Sequence, residues 1–435
     1  MKLRPFELVL IVVFGSLFFV ALFLLRNFDG GEPAEDVSNL GAGLTIWGVL
    51  PYGAMESLLQ KMRDTDEGYN NVTYRYVAPE EFDQVFVNAL ADQKGPDLLL
   101  LPHDRLVKHR TRLQPIPYES FPVRDFRSTY IDGAEIFALS DGIYGLPVAV
   151  DPLVMYWNRD IFSTNGLLSA PTTWEEVVNT TVPTLTVRDF NRNIQLSAVA
   201  MGEYRNISNA FPVLSLLLLQ GGSVMVTEGQ NQYRIRLDET VNQSGAQPFV
   251  TAATFYTNFS NVSNTLYSWN RALTLDKDRF LSEDLALYFG YLSEGRDIAA
   301  KNPNLNFDVA EVPQGASATV KRTYGQYYAF VIPKTAPNKA GALTAMQTLG
   351  GETNAKQIAD GYNFAPAHRS TLAVGSNDVY GRVGYASAVY ARGWLNPDLD
   401  RLSPVLTTML EDINANRSDI GSATSDAVNR IQQIY

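Results

Sequence analysis

The chain has no cysteine among its 435 residues and only three histidines, His103, His109 and His368. The first absence removes disulfides, thiolate catalysis, Cys-based zinc sites and lipid attachment at an N-terminal Cys together. The histidines are too few and too scattered for a metal centre, and no metal or other cofactor is expected. Positive charge is also short: 35 Lys and Arg stand against 46 Asp and Glu, a formal net charge of −11. Nucleic acid and anionic lipid both require a positive footprint, which this balance argues against. The nucleophile elbow G-x-S-x-G and the phosphate loop G-x-x-x-x-G-K are missing, so the sequence does not read as an enzyme. Two acidic runs, Asp276-Lys277-Asp278 and Asn396-Pro397-Asp398-Leu399-Asp400, have the look of a calcium loop. Leu281 and Arg401 stand where its turn needs Gly, so both runs read as solvated faces or helix caps.

Against these absences stands one long apolar run. Leu8 to Leu25 (LVLIVVFGSLFFVALFLL) carries no charge, and at about 1.5 Å per residue it spans roughly 27 Å, near the hydrocarbon thickness of a bilayer. Arg26 follows it directly and no small-residue cleavage site closes it, which favours a retained anchor over a cleaved signal peptide. Lys2 and Arg4 precede the span and Asp29, Glu32, Glu35 and Asp36 follow it. The positive side stays in the cytoplasm, so the expectation is a single-pass protein of the cell membrane with its domain on the extracytoplasmic side. Residues 27–43, rich in Gly, Pro and acids, read as a flexible spacer, and the fold is expected from Leu44 to Tyr435.

From Leu44 the pattern alternates. LTIWGVL (44–50) predicts a buried strand, residues 54–64 a helix and 72–77 a second strand. Residues 79–93 put Phe82, Val85, Phe86, Ala89 and Leu90 on one helical face, and DLLLL (97–101) is the continuous apolar strand of a covered parallel sheet. This β-α-β-α-β opening implies an α/β layer architecture. A long extended run, Gly145 to Asn158, follows, with prolines that suit crossovers. Further strands are expected at 285–290, 307–312 and 327–333, and the last third is mostly helical.

The segment Tyr144-Gly145-Leu146-Pro147, through Asp151 to Tyr156-Trp157-Asn158-Arg159-Asp160, and on to Pro171-Thr172-Thr173-Trp174-Glu175-Glu176, resembles the extracellular solute-binding proteins, the maltose-binding-protein-like substrate carriers of ABC transporters. Gly95-Pro96-Asp97 with His103-Asp104-Arg105, Phe280 to Leu287, and Val312-Pro313 with Tyr328 to Pro333 agree with it. The resemblance implies a two-lobed, type II periplasmic-binding-protein-like α/β fold with hinge crossovers near 147–152, 309–314 and 363–370. Lobe one would hold 44–148 and 314–366, lobe two 151–311 and 371–435. It further implies a small solute, a carbohydrate above all, held in the interlobe cleft, and ABC permease subunits as partners.

A sugar site needs flat apolar faces for the ring and carboxylates, amides or Arg for its hydroxyls. By the resemblance, Asp104 and Arg105 match a sugar-contacting acid and arginine, Asp151 takes the place of a hinge glutamate, and Asn209 and Phe211 fall where the family has a glutamate and a tyrosine. Leu101 or Pro102 replaces a stacking tryptophan, and Val49, Leu50 and Pro51 replace polar and basic residues, so malto-oligosaccharide is not the expected ligand. Trp47, Trp269, Tyr291, Tyr327 and Trp394 are candidate replacement aromatics. Trp47, at a strand end, fits core as well as cleft, and Trp157 and Trp174 read as core. Asp104 has a plain alternative as the N-cap of a following helix. Two other functions stay open: a surface receptor or adhesin of the same fold without a transporter, and a glycoside hydrolase, which needs only two suitably spaced carboxylates.

Overall fold

The first strand forms because Leu44, Ile46 and Trp47 need cover on both sides, and the computed structural model supplies it from both neighbours. The structure describes residue 40 and residues 43–229, 232–241, 245 and 247–435. Strand β1 (Leu44–Gly48) pairs in parallel with β2 (Val72–Tyr76) and β3 (Leu98–Pro102), with helices α1 (Tyr52–Thr65) and α2 (Pro79–Ala91) as the crossovers. In α2 Pro79 occupies the first turn, Glu80 and Glu81 favour the positive end of the helix dipole, and Phe82 and Phe86 are buried. Leu40 is 1% exposed, so packing of the first lobe reaches upstream of Leu44 into the expected spacer.

Two long strands then carry the chain between two cores. Strand β4 (Leu146–Asn158) places Val148 to Val150 in the first core and Leu153 to Tyr156 in the second. The second core gathers β5 (Ile194–Val199), helix α3 (Ala210–Gln220), a small hairpin of β6 (Val226–Glu228) and β7 (Tyr233–Ile235), and β8 (Leu285–Tyr291) with helix α4 (Glu294–Lys301) and β9 (Phe307–Ala310). Strand β10 (Thr323–Pro333) returns antiparallel to β4, pairing Gln326 with Asp151, and puts Tyr324 in the second core and Tyr327 to Ile332 in the first. One sheet therefore runs through both lobes in the order β2-β1-β3-β10-β4-β8-β5. Helix α5 (Glu352–Tyr362) follows, then α6 (Val379–Tyr390), α7 (Leu399–Asn414) and α8 (Ile420–Gln432).

The crossing near Pro147 to Pro152 falls where the sequence placed it. The other two lie later in the chain: one inside β10, between Tyr324 and Tyr327, and one between Ala391 and Trp394. Residues 371–391, expected with the second lobe, send Leu372, Tyr385, Ala388 and Ala391 into the first core, while Tyr380 and Val383 reach the second. Among the described residues no helix is long and apolar enough to cross a membrane, and the expected anchor at 8–25 lies outside them.

Candidate ligand cavity between the lobes

On the first lobe, β3 is buried over its whole length and ends at Pro102, after which His103 to Arg105 form one 3-10 turn. His103 is buried and accepts a hydrogen bond at Nδ1 from the Tyr327 amide (3.1 Å). Burial takes its pKa down to about 3, so the ring is neutral and pins the turn to β10. The next residue, Asp104, caps no helix. Its Oδ2 accepts from Gln326 Nε2 at 3.0 Å, and its Oδ1 is buried with no partner. Burial raises the pKa of this carboxyl, with Arg105 and Gln326 acting against it. Gln326 is held in turn by Tyr328, whose hydroxyl donates to Gln326 Oε1 (3.0 Å).

On the second lobe the loop leading into α3 supplies the facing wall. Ser208 donates from its backbone N and its Oγ to Asp276 Oδ1 (2.9 and 2.7 Å). Asn209 Nδ2 lies within reach of Tyr288 Oη, the Phe289 carbonyl and Glu294 Oε1 (3.0, 3.2 and 2.9 Å). Phe211 stacks on Trp394, with ring centroids 5.3 Å apart, and meets Tyr324 edge-on at 5.8 Å. Tyr291 closes β8 and donates its backbone N–H to Glu294 Oε1 (2.9 Å). Tyr204 donates its hydroxyl to Ser403 Oγ (3.0 Å).

Between these walls lies a half-open cavity of about 280 Å³. Asp104 and Gln326 border it from the first lobe and the crossover strand. Asn209, Phe211, Tyr291 and Tyr324 border it from the second lobe and the same strand. Asp104, Asn209, Phe211 and Tyr291 are thus brought together as expected, and Trp394, 2% exposed, backs Phe211.

The other expected site residues are elsewhere. Arg105 is absent from the cavity lining, its guanidinium bonded to Asp83 (2.5 Å) and the Pro79 carbonyl (2.6 Å). Asp151 sits at the hinge rather than in the cavity lining; Ser293 donates to it from backbone N (3.1 Å) and Oγ (2.6 Å), and burial pushes its pKa up to about 8. Trp47 belongs to the first core, with the Arg75 guanidinium 4.4 Å over its ring. Trp269 is fully buried in the second core, its Nε1 donating to Asn206 Oδ1 (3.2 Å). Tyr327 is fully buried in the first core and donates to the Ala391 carbonyl (2.9 Å). Each of these aromatics is large enough to be a core residue, and burial there accounts for it.

Tyr204, Ser208, Tyr324, Gln326 and Ser403 were not foreseen. For Tyr324 and Gln326 a signal existed: with Tyr328 they sit at alternate positions of β10 and share one face. Ser208 and Tyr204 lie in an irregular loop with no periodicity to read.

A second polar junction joins the lobes outside this cavity. Arg110 of the first lobe meets Glu228 at 2.5 Å and Tyr233 Oη at 2.9 Å, both on the β6–β7 hairpin, and Asp141 at 2.9 Å on its own lobe. Glu228 also accepts from Ser140 N (3.0 Å) and Oγ (2.8 Å). The recess beside it, about 520 Å³, is bordered by Arg110, Asp141, Tyr144, Tyr233, Lys334 and Tyr435 among others. A smaller bridge, Lys108 between Asp83 (2.7 Å) and Asp398 (2.9 Å), also spans the lobes.

The model of the bacterial extracellular solute-binding protein family matches residues 54–356. The chain belongs to that family. A protein of Brucella abortus (strain 2308), named only as a binding protein, is 22% identical over 324 residues, 72% of each chain. Among solved structures, a cyclo/maltodextrin-binding protein complexed with maltotetraose superimposes with a TM-score of 0.72 at 16% identity, over 90% of this chain and 96% of that one. An ABC transporter solute-binding protein from Thermotoga lettingae, bound with α-D-tagatose, gives 0.64 at 18% identity, over 91% and 100%. These likenesses establish the two-lobed periplasmic-binding-protein fold.

Proposed function

We propose that this member of the family captures a small carbohydrate in the 280 Å³ cavity and delivers it to an ABC importer. The observation that carries the reading is Asp104 Oδ1, a buried carboxylate oxygen without a partner at the border of an aromatic-walled space. An unmet buried acceptor is costly unless something donates to it, and a sugar hydroxyl does so. Phe211, Tyr291 and Tyr324 offer the apolar ring faces that the C–H surface of a sugar requires. Structural neighbours complexed with maltotetraose and tagatose support the ligand class. Val49, Leu50 and Leu101 are buried in the first core, which weighs against a ligand bound in the malto-oligosaccharide manner.

Catalysis is not part of this reading. Two-carboxylate glycoside hydrolysis needs an acid and a second carboxylate across the cleft, and among the described residues Asp104 brings the one carboxylate to the lining. The uncharged run Leu8 to Leu25 would anchor the chain, the residues between Asn27 and the packed Leu40 would space it from the bilayer, and the lobes would work on the extracytoplasmic side beside permease subunits. Thermal unfolding of the full-length protein against sugars, polyamines and oxyanions tests the ligand class. A ligand that binds the folded state alone raises the melting temperature, and a rise with carbohydrates is expected. A response confined to charged non-sugars sinks the proposal.

A further inference from the structure

Several polar atoms around the cavity are oriented by groups behind them, and the orientation bears on what kind of ligand fits. Asn209 is the clearest case. Its Nδ2 lies 3.2 Å from the Phe289 carbonyl and 2.9 Å from Glu294 Oε1, which also accepts from the Tyr291 amide, so both oxygens are acceptors and hold the amide group toward them. Oδ1, a pure acceptor, is left as the side chain's free polar atom. Ser208 is treated alike: its Oγ gives its proton to Asp276 Oδ1 at 2.7 Å, which leaves only lone pairs for another partner. Asp104 adds an unmet carboxylate oxygen from the opposite lobe. Gln326 spends its amide on Asp104 Oδ2 and its carbonyl on Tyr328.

Cations are disposed of with equal consistency. None borders the cavity among the described residues. Three cations behind its walls are engaged by carboxylates: Arg105 by Asp83, Lys108 by Asp83 and Asp398, and Lys277 by Glu294 (2.8 Å) and Asp297 (2.9 Å).

We infer that three oriented acceptors, on Asp104, Ser208 and Asn209, make the cavity select ligands rich in hydrogen-bond donors, neutral or aminated, over anionic ones, with Glu294 as the positioning residue that fixes the Asn209 amide. This deepens the carbohydrate reading and rests on it. Glu294 also accepts from Tyr288 Oη (2.7 Å) and from the Tyr291 amide, so one carboxylate holds both Asn209 and the cavity-wall residue Tyr291. A sugar hydroxyl can donate to each of the three acceptors, and an ammonium can replace a hydroxyl where its charge is set against the Asp104 carboxyl. A carboxylate or phosphate brings acceptors against acceptors and a negative charge against Asp104.

The test is calorimetric titration of the full-length protein with two matched triples, glucose, glucosamine and glucuronate, and galactose, galactosamine and galacturonate, together with spermidine and citrate. The aminated sugar of the responding triple is expected to bind at least as tightly as the neutral one, and the uronate about tenfold more weakly or not at all. Glu294→Gln replaces one carboxylate oxygen by an N–H donor and weakens the hold on the Asn209 amide to that of the Phe289 carbonyl, so discrimination between neutral sugar and uronate should shrink to about threefold or less. A purely structural role would weaken all three ligands alike and leave the ratio unchanged, which overturns the assignment to Glu294. The wild-type comparison stands whether or not the variant folds. A uronate or citrate bound as tightly as the neutral sugar, or silence toward every donor probe, overturns the inference. Binding of spermidine without any sugar would keep the acceptor lining and remove the carbohydrate reading.

Discussion

Two polar assemblies join the lobes, and they differ in completeness. At the Arg110 junction the guanidinium and the Glu228 and Asp141 carboxylates meet one another, and Ser140 and Tyr233 complete the set. In the cavity, Asp104 Oδ1 is buried and unmet, and Asn209 and Ser208 on the facing wall are turned so as to accept. A self-satisfied cluster holds two bodies together, whereas one with an acceptor left over waits for a donor from outside. Substitutions in the two places should therefore separate stability from binding.

The largest effect on binding is expected from Asp104→Ala. A hydrogen bond to a charged group is worth about 1.5–3 kcal/mol, a loss of about 10- to 150-fold in affinity by titration calorimetry, while the melting temperature stays level or rises because a buried unmet carboxyl is gone. Arg110→Met should do the reverse. It takes the cation away from Glu228, leaving that carboxylate only its two bonds from Ser140, and costs about 2 kcal/mol of unfolding free energy in a denaturant titration, with affinity changed less than for Asp104→Ala. Equal effects of the two variants on affinity would erase the distinction.

Phe211→Leu keeps an apolar wall but removes the stack on Trp394, and a loss of about 1 kcal/mol in binding is expected. At the hinge, the buried Asp151 carboxyl titrates at about 8 in the folded protein, against an ordinary value of 3.8. The folded state therefore holds the extra proton between those values, so stability should fall as pH rises from about 4 to 8. Asp151→Asn should flatten that slope in melting curves taken across the range. Smallest of all, Lys108→Met removes an interlobe ion pair that is partly exposed to water. Its effect should stay within about 1 kcal/mol and vanish at high salt.

Much of the fold was legible because its elements announce themselves locally. The buried run Leu98 to Leu101, the one-sided apolar face of residues 79–91 and the extended Gly145 to Asn158 are where they were expected. Thr173 and Glu176 form the capping box that the Thr-Trp-Glu-Glu sequence advertises. Strand β10 was anticipated only from Tyr327, because Gly325 interrupts its apolar pattern. A Cβ there would come within 2.8 Å of Val150 and 2.9 Å of Ala391, so this glycine answers to a close approach of neighbouring strands that the local sequence does not display. In the site, Asp104, Asn209 and Phe211 followed from the family resemblance. Trp47 and Trp269 did not belong, since a tryptophan reads the same in a core as at a cleft. Asp276 and Glu294, which orient the wall, lie 68 and 85 residues from the side chains they hold.

The central claim is most directly tested by a crystal structure of the protein grown with the neutral sugar that gives the strongest titration response. The account predicts a sugar ring against Phe211 with a hydroxyl within hydrogen-bonding distance of Asp104 Oδ1. A ligand seated instead in the recess beside Arg110 and Lys334, with Asp104 Oδ1 still unmet, would contradict it.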